Sequence, residues 1–186
     1  MKLSILICTL DSRVEQFNKL FIELDRQRDN RNTTLEILVE RDNGEQRTGT
    51  KRNKLLERAR GEYVCFIDDD DEVSPNYINI LLEAIKSNPD CVSLRGVMTT
   101  SGENPEVFEH SIKYKAYRTT DNPIKYERFP NHLSCIRSSI AKQFRFPEIN
   151  HSEDTIWATQ IFNSGLIKTE FYTDEILYYY HYNPKK

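Results

Sequence analysis

Four consecutive carboxylates, Asp68-Asp69-Asp70-Asp71, have the most chemistry to offer in this sequence. Like charges a few ångströms apart raise one another's pKa, and a divalent cation removes that repulsion. Hard cations such as Mg²⁺ or Mn²⁺ take oxygen ligands, often one or two carboxylates completed by substrate phosphates. A solvated acidic turn is the competing reading. The quartet directly follows the apolar run Tyr63-Val-Cys-Phe-Ile67, and ligands of open α/β sheets bind outside the carboxyl ends of strands, which favours the metal. A second acidic pair, Glu153-Asp154, follows His151-Ser152. In a helix's first turn such acids gain roughly 0.3–1 kcal/mol from the dipole, a purely structural explanation. In a cleft, one of them could take a proton from a nucleophile.

These groups need elements to hold them. Residues 3–8, 35–39, 63–67 and 91–94 are short apolar or β-branched runs of the kind that form buried strands. Between the first two, Val14, Phe17, Leu20, Phe21 and Leu24 recur at helical spacing. A helix over 48–60 would turn Leu55, Leu56 and Ala59 inward and stop at Gly61. Ser74 would cap a helix begun at Pro75, with Tyr77, Ile78, Leu81, Leu82 and Ile85 on its core side. Strands alternating with helices predict βαβ units and a mostly parallel sheet. From 97 to 130, turn signals such as Ser101-Gly102 and Asp121-Asn122-Pro123 separate short aromatic runs, which predicts antiparallel hairpins or irregular segments. A helix over 153–163, capped by Ser152 and ended by Gly165, would carry Glu153-Asp154, and residues 177–182 read as a last strand.

At 186 residues the chain is one domain's worth, with 38% hydrophobic residues, enough to line a core and exclude wholesale disorder. Lys and Arg number 26 against 29 Asp and Glu, a net charge of −3, and the mean hydropathy is −0.68. No apolar run approaches the ~20 residues a membrane span needs. Cys8, Cys65, Cys91 and Cys135 form no C-x-x-C pair, which speaks against a zinc site or disulfide scaffold and for a reducing, cytoplasmic compartment. No membrane anchor is expected from the tail, Pro184-Lys185-Lys186. Charge is uneven: residues 41–60 hold seven basic against three acidic residues, and 113–128 five against two. Both read as solvated faces or as phosphate-facing surfaces.

Gly61-Glu-Tyr-Val-Cys-Phe-Ile-Asp-Asp-Asp-Asp71 resembles the strand-plus-DXD signature of GT-A glycosyltransferases, particularly family 2. The resemblance implies an α/β fold, Rossmann-like, with a mostly parallel central sheet flanked by helices and a small antiparallel C-terminal portion. It implies Asp70 as metal ligand, Asp68 as ribose or metal partner, Asp69 in the variable middle position on the donor side, and Asp71 supporting from behind. Thr9-Leu10-Asp11 falls where such enzymes clasp the nucleotide, and Asp42 matches the base-reading Asp. Gly49-Thr-Lys-Arg-Asn53 resembles the helix start whose Arg lies near nucleobase and diphosphate, pointing to Arg52 with Lys51 beside it. By the same resemblance Asp154 is the general base and Glu153 orients it. His181, otherwise a packed histidine among tyrosines, is a candidate third metal ligand, although many family members have Arg near that point. His132 is placed on the acceptor side. Trp157 is carried as an acceptor contact, although Ile156, Ile161 and Phe162 on its helix favour a core position. The match is closest over residues 1–95.

The implied activity is inverting transfer of a sugar from a nucleotide-sugar donor, pyrimidine favoured, to an acceptor hydroxyl, with Mn²⁺ or Mg²⁺ as cofactor. A single domain over 1–186 is expected, with 1–95 binding the donor and 96–186 the acceptor and base. The chain also resembles compact phage-type enzymes of this fold, some linked to sugar transfer onto hydroxymethylated DNA bases. That implies modified DNA as acceptor and the cytoplasm of a bacterial or phage-infected cell as location. A saccharide acceptor, a non-catalytic sugar-nucleotide module and a nucleotidyltransferase are the alternatives. The last normally shows a Gly-rich loop near the first strand, and Thr9-Leu-Asp-Ser-Arg13 has no glycine.

Overall fold

The computed structural model describes residues 1–28 and 34–184; Lys185 and Lys186 of the tail lie outside them. In chain order its elements are β1 (Leu3–Leu10), α1 (Val14–Gln27), β2 (Leu35–Asp42), α2 (Thr48–Arg58), β3 (Tyr63–Phe66), β4 (Glu72–Val73), α3 (Tyr77–Ala84), β5 (Cys91–Val92) and β6 (Leu94–Thr100). There follow β7 (Glu103–His110), β8 (Arg118–Thr119), β9 (Ile124–Arg128), β10 (Cys135–Arg137), α4 (Ser138–Ala141), α5 (Glu153–Ser164), β11 (Glu170–Phe171) and β12 (Ile176–Tyr182).

The first sheet runs β11-β5-β10-β3-β1-β2. β1 is parallel to β2 and β3, and β5 to β11, while β10 enters antiparallel between β3 and β5. β1 is almost wholly apolar, with only Ser4 and Thr9 polar, because both of its faces are covered and side chains alternate along a strand. Leu3, Ile5 and Ile7 join Leu20 and Leu24 of α1 and Tyr77, Ile78 and Leu81 of α3 in one core cluster. Leu6 joins Leu55 and Leu56 of α2 with Trp157 and Ile161 of α5 in the other. The second sheet, β4-β12-β6-β7-β9-β8, extends the first cluster through Phe108, Leu177 and Tyr178.

Several boundaries differ from the sequence expectation. Residues 91–94 are not one strand: β5 stays in the first sheet and β6 opens the second, with Ser93 bonded to Phe171 and Thr173 at the crossing. Helix α2 ends at Arg58, and Ala59 is already extended. Gly61 is no helix stop; it lies flat on β1, where a Cβ would come 2.5 Å from the Ser4 amide nitrogen. Helix α3 starts at Tyr77, not Pro75, because Ser74 still donates its N–H to Leu177 O of β12. Ser152 precedes α5 with φ 66° and makes no side-chain cap; Gly165 does end that helix, at φ 65°. The region 97–130 is mixed, with β6–β7 and β8–β9 antiparallel and β7–β9 parallel.

Candidate active site

The strand alternation of β3 persists through the aspartates. Asp68 and Asp70 keep 32% and 20% of their side chains exposed, whereas Asp69 and Asp71 are about 3% exposed. The two inward carboxylates are used structurally. Asp69 accepts from Thr9 Oγ1 and Arg13 Nη1, both at 2.7 Å. Asp71 accepts from Tyr178 Oη and the His181 amide, both at 2.8 Å, and burial together with the Asp68 charge pushes it up to about 8. Tyr178 Oη also receives the Asp68 N–H, so one tyrosine of β12 ties both ends of the acidic loop.

Asp68 and Asp70 face a cavity of about 580 Å³ at the carboxyl ends of β1 and β3. Lys51 and Arg52, from the first turns of α2, line the same cavity although both are buried. Lys51 Nζ bonds Thr9 O at 3.0 Å and Asp42 Oδ1 at 2.8 Å. Arg52 reaches Asp68 Oδ1 at 3.0 Å and Glu153 Oε1 at 3.2 Å and rests over Phe66 and Phe146. Burial alone would raise Asp68, but Arg52 and His132 outweigh it and hold that carboxyl well below the usual carboxylate range. For Glu153 burial wins over Arg52, and its pKa rises. Two predicted donor contacts stand apart. Asp11 is an exposed surface residue paired to Arg41 at 2.5 Å. Asp42 spends its oxygens on Lys51 and the Gln46 N–H, and neither Asp11 nor Asp42 lines the cavity.

Glu153 and Asp154 open α5, which meets α2 beside this cavity. Glu153 is buried toward Arg52, while Asp154 remains partly exposed. His132 lies between the two acidic motifs, with Nε2 3.5 Å from Asp68 Oδ2 in a long hydrogen bond and Nδ1 3.4 Å from Asp154 Oδ2, a close approach without hydrogen-bond geometry. The Phe66 N–H to His132 O bond of 2.9 Å fixes it to the end of β3. A second cavity of about 260 Å³ shares Asp68, His132, Asp154 and Tyr180 with the first and continues over Phe108, Tyr117, Tyr126 and Arg128.

Carboxylates 86 residues apart in sequence thus reach one cleft, held by one cation and one imidazole. Asp68 and Asp70 suit a hard cation that takes two carboxylates and completes its shell from substrate phosphates. Among the described residues no three His, Cys, Asp or Glu side chains form a ready cluster. His181 lines the same cavity as the pair, but its imidazole lies on Thr99 Oγ1 (3.3 Å) and Glu72 Oε1 (3.4 Å) and completes no three-residue cluster with them. Trp157 is a correction: it is 1% exposed, stacks on Phe146 at 4.6 Å and lines neither cavity, because the face of α5 shared with Ile161 is the core face. Sequence reasoning missed Arg13, Tyr178 and His110, whereas the Tyr117–Tyr126–Arg128 wall falls within the basic, aromatic stretch 113–129 that the sequence offers as a phosphate-facing or acceptor-side surface. Strand alternation over Tyr178-Tyr179-Tyr180 carried the signal for Tyr178 and Tyr180, which share a face.

The family model described as glycosyl transferase family 2 matches residues 29–145. Putative glycosyltransferase EpsH of Bacillus subtilis (strain 168) is 43% identical over 44 residues, 24% of this chain and 13% of that protein. The crystal structure of S. aureus TarS 1-349 superposes on 97% of this chain and 60% of its own, at 20% identity and a TM-score of 0.72. The same TarS segment in complex with UDP covers 100% of this chain and 62% of its own, at 19% identity and a TM-score of 0.72. Its complex with UDP-GlcNAc covers 98% and 59%, at 16% identity and a TM-score of 0.65. The chain therefore spans about three fifths of the TarS structures it resembles and a small part of EpsH.

Proposed function

The chain belongs to glycosyl transferase family 2 and has the GT-A fold, and on that premise we propose that it moves a sugar from a nucleotide-sugar donor to an acceptor hydroxyl with inversion. The observation that carries the proposal is the convergence of Asp68 and Asp154 on one cleft through His132. Lys51 and Arg52 hold the wall of the larger cavity on which the donor diphosphate lies, and the UDP and UDP-GlcNAc complexes of the TarS fold support a nucleotide sugar there. Asp68 and Asp70 are the residues that would hold Mg²⁺ or Mn²⁺, which when bound offsets charge on the departing diphosphate. Asp154 accepts the proton of the acceptor hydroxyl as that oxygen attacks the anomeric carbon from the side opposite the diphosphate. His132 keeps the Asp154 carboxylate oriented, and Glu153 holds Arg52 in place. In this reading residues 1–95 supply the donor side and 96–186 the acceptor and base.

For the acceptor we propose a hydroxymethylated pyrimidine in DNA, with a saccharide hydroxyl as the alternative outcome of the test. Flipping a base from a duplex costs a few kcal/mol and calls for an aromatic-lined receptacle. The small cavity, walled by Phe108, Tyr117, Tyr126 and Tyr180, supports that. No helix among the described residues is long and apolar enough to cross a membrane. The four free cysteines suit a reducing cytoplasm.

The test is a transfer assay with Mn²⁺, a panel of sugar nucleotides, and hydroxymethylcytosine DNA beside plain DNA and simple saccharides. Asp154→Asn is expected to lower transfer by roughly 10²–10⁴-fold while UDP affinity stays within a factor of about two. Undiminished turnover in that variant would remove Asp154 as base, and transfer confined to saccharides would end the DNA reading.

A further inference from the structure

The small cavity has an electrically lopsided wall. Asp68 and Asp154 stand at the end it shares with the donor cavity, and Arg128 of β9 lines it as well. Arg128 is half-buried, with its guanidinium carbon 5.0 Å from the Tyr117 ring centre and 5.4 Å from that of Tyr126. Its Nη1 donates to the carbonyls of Arg118 and Glu127. Among the described residues it forms no ion pair with any carboxylate, and Nε and Nη2 make no hydrogen bond.

That is unusual in this molecule, where other buried or half-buried cations are matched. Arg52 has Asp68 and Glu153, Lys51 has Asp42, Arg13 has Asp69 and Arg95 has Glu109. A partly desolvated guanidinium without a counter-charge is costly unless something supplies one. Burial moves Arg128 toward a lower pKa, and the groups that oppose this are the two tyrosines rather than any acid. The neighbouring imidazole of His110 contributes no charge, since burial presses it down to about 3. Three further polar atoms on this wall, His110 Nδ1, Tyr117 Oη and His132 Nδ1, are buried outside good hydrogen-bond geometry, the first two beside the side chain of Asn131. Planar guanidinium forks pair bidentately with phosphate and carboxylate oxygens, and such charge-assisted bonds are about twice as strong as neutral ones.

We propose that the acceptor carries a phosphate ester and that Arg128, braced between Tyr117 and Tyr126, is the residue that selects it. The inference rests on the small cavity being the acceptor site. With the anion on Arg128 and the hydroxyl at Asp154, the acceptor is held at both ends, which fixes which hydroxyl faces the donor. The ester can belong to a nucleotide or to a phosphorylated sugar; the chemistry at Arg128 is the same.

The test measures binding by calorimetry, with UDP and Mn²⁺ saturating so that the donor cavity cannot take the probe phosphate. Two pairs are compared: hydroxymethyl-deoxycytidine with its monophosphate, and a hexose with its monophosphate. Wild type is expected to bind the phosphorylated member of at least one pair about tenfold or more tightly than the neutral member, and the pair that responds identifies the source. Arg128→Met should abolish the preference and Arg128→Lys retain part of it, with UDP affinity reporting that each variant is folded. Equal binding within both pairs by wild type, no binding of any probe, or a preference that survives in Arg128→Met overturns the proposal. Because binding is read apart from turnover, a phosphate preference without sugar transfer would contradict the proposed function and leave the anion site standing.

Discussion

Arg52 shows how much of the cleft depends on single side chains. Among the described residues it is the one cation shared by Asp68 from the acidic loop and Glu153 from α5, and it sits on two aromatic rings. A buried pair gives little net stability, but removing one partner leaves the other charge uncompensated. Arg52→Met is therefore expected to cost about 3–5 kcal/mol in urea unfolding, and adding Glu153→Gln should return part of the loss. A double variant no more stable than the single one would remove Glu153 from the account. At this scale charge type alone spoke for the acidic quartet after an apolar run, while Lys51 and Arg52 came only through the family resemblance. The resemblance put Asp11 and Asp42 on the donor, whereas Arg41 and Lys51 satisfy them and neither aspartate lines the cavity. A one-dimensional motif carries no record of which acid spends its oxygens locally. His132 was legible only as a polar residue near the site; its bridge spans residues 68 and 154, a contact no local pattern encodes.

Among the elements, the packing of α2 against the segment before α5 sets the spacing between the donor wall and the base. Gly49 makes the contact: a Cβ there would lie 1.9 Å from Pro147 O, while its N–H donates to Ile149 O. Asn53 fixes the same segment by bonding both Phe146 O and Phe146 N–H at 2.9 Å. Gly49→Ala must push backbone apart, so a loss of roughly 1–3 kcal/mol in the urea midpoint is expected, with transfer reduced because Glu153 and Asp154 shift with the segment. Unchanged stability and turnover would show that the contact gives way freely. Alternating apolar runs announced β1, β2, β3 and α1 because both faces of the first sheet are covered. Helix starts were less legible, since Ser74 and Ser152 are cap-type residues whose side chains cap nothing; their backbones are committed to β12 and to a left-handed turn. The split of 91–94 between two sheets was hidden because β5 and the first residue of β6, Leu94, are apolar and only Ser93 marks the crossing.

For the whole molecule, the two sheets share the cluster containing Phe108, Leu177 and Tyr178, and His110 is buried at its margin beside Phe108. Burial first, then the charges of His132 and Arg128, depress His110 from 6.5 to about 3. Between those values the unfolded chain binds the extra proton, so this residue's contribution is complete above about pH 6.5 and is lost as pH falls toward 3. The stability difference between wild type and His110→Phe should therefore move against wild type by about 1.4 kcal/mol per pH unit below 6.5. Urea titrations at neutral and mildly acidic pH check this, and parallel acid limbs would contradict it. The parallel core of the first sheet was legible from the alternation of strands and helices; the edges of the second sheet were not, because β4 and β8 are two residues each and owe their existence to neighbours rather than to their own pattern.

All three scales meet at the acidic loop, and the most direct measurement there is a crystal structure grown with UDP and Mn²⁺, read by manganese anomalous scattering. The account predicts one peak bonded to carboxylate oxygens of Asp68 or Asp70 and to the diphosphate, with the nucleotide along Lys51 and Arg52. A nucleotide bound elsewhere, or bound there with no manganese on either aspartate, would contradict it.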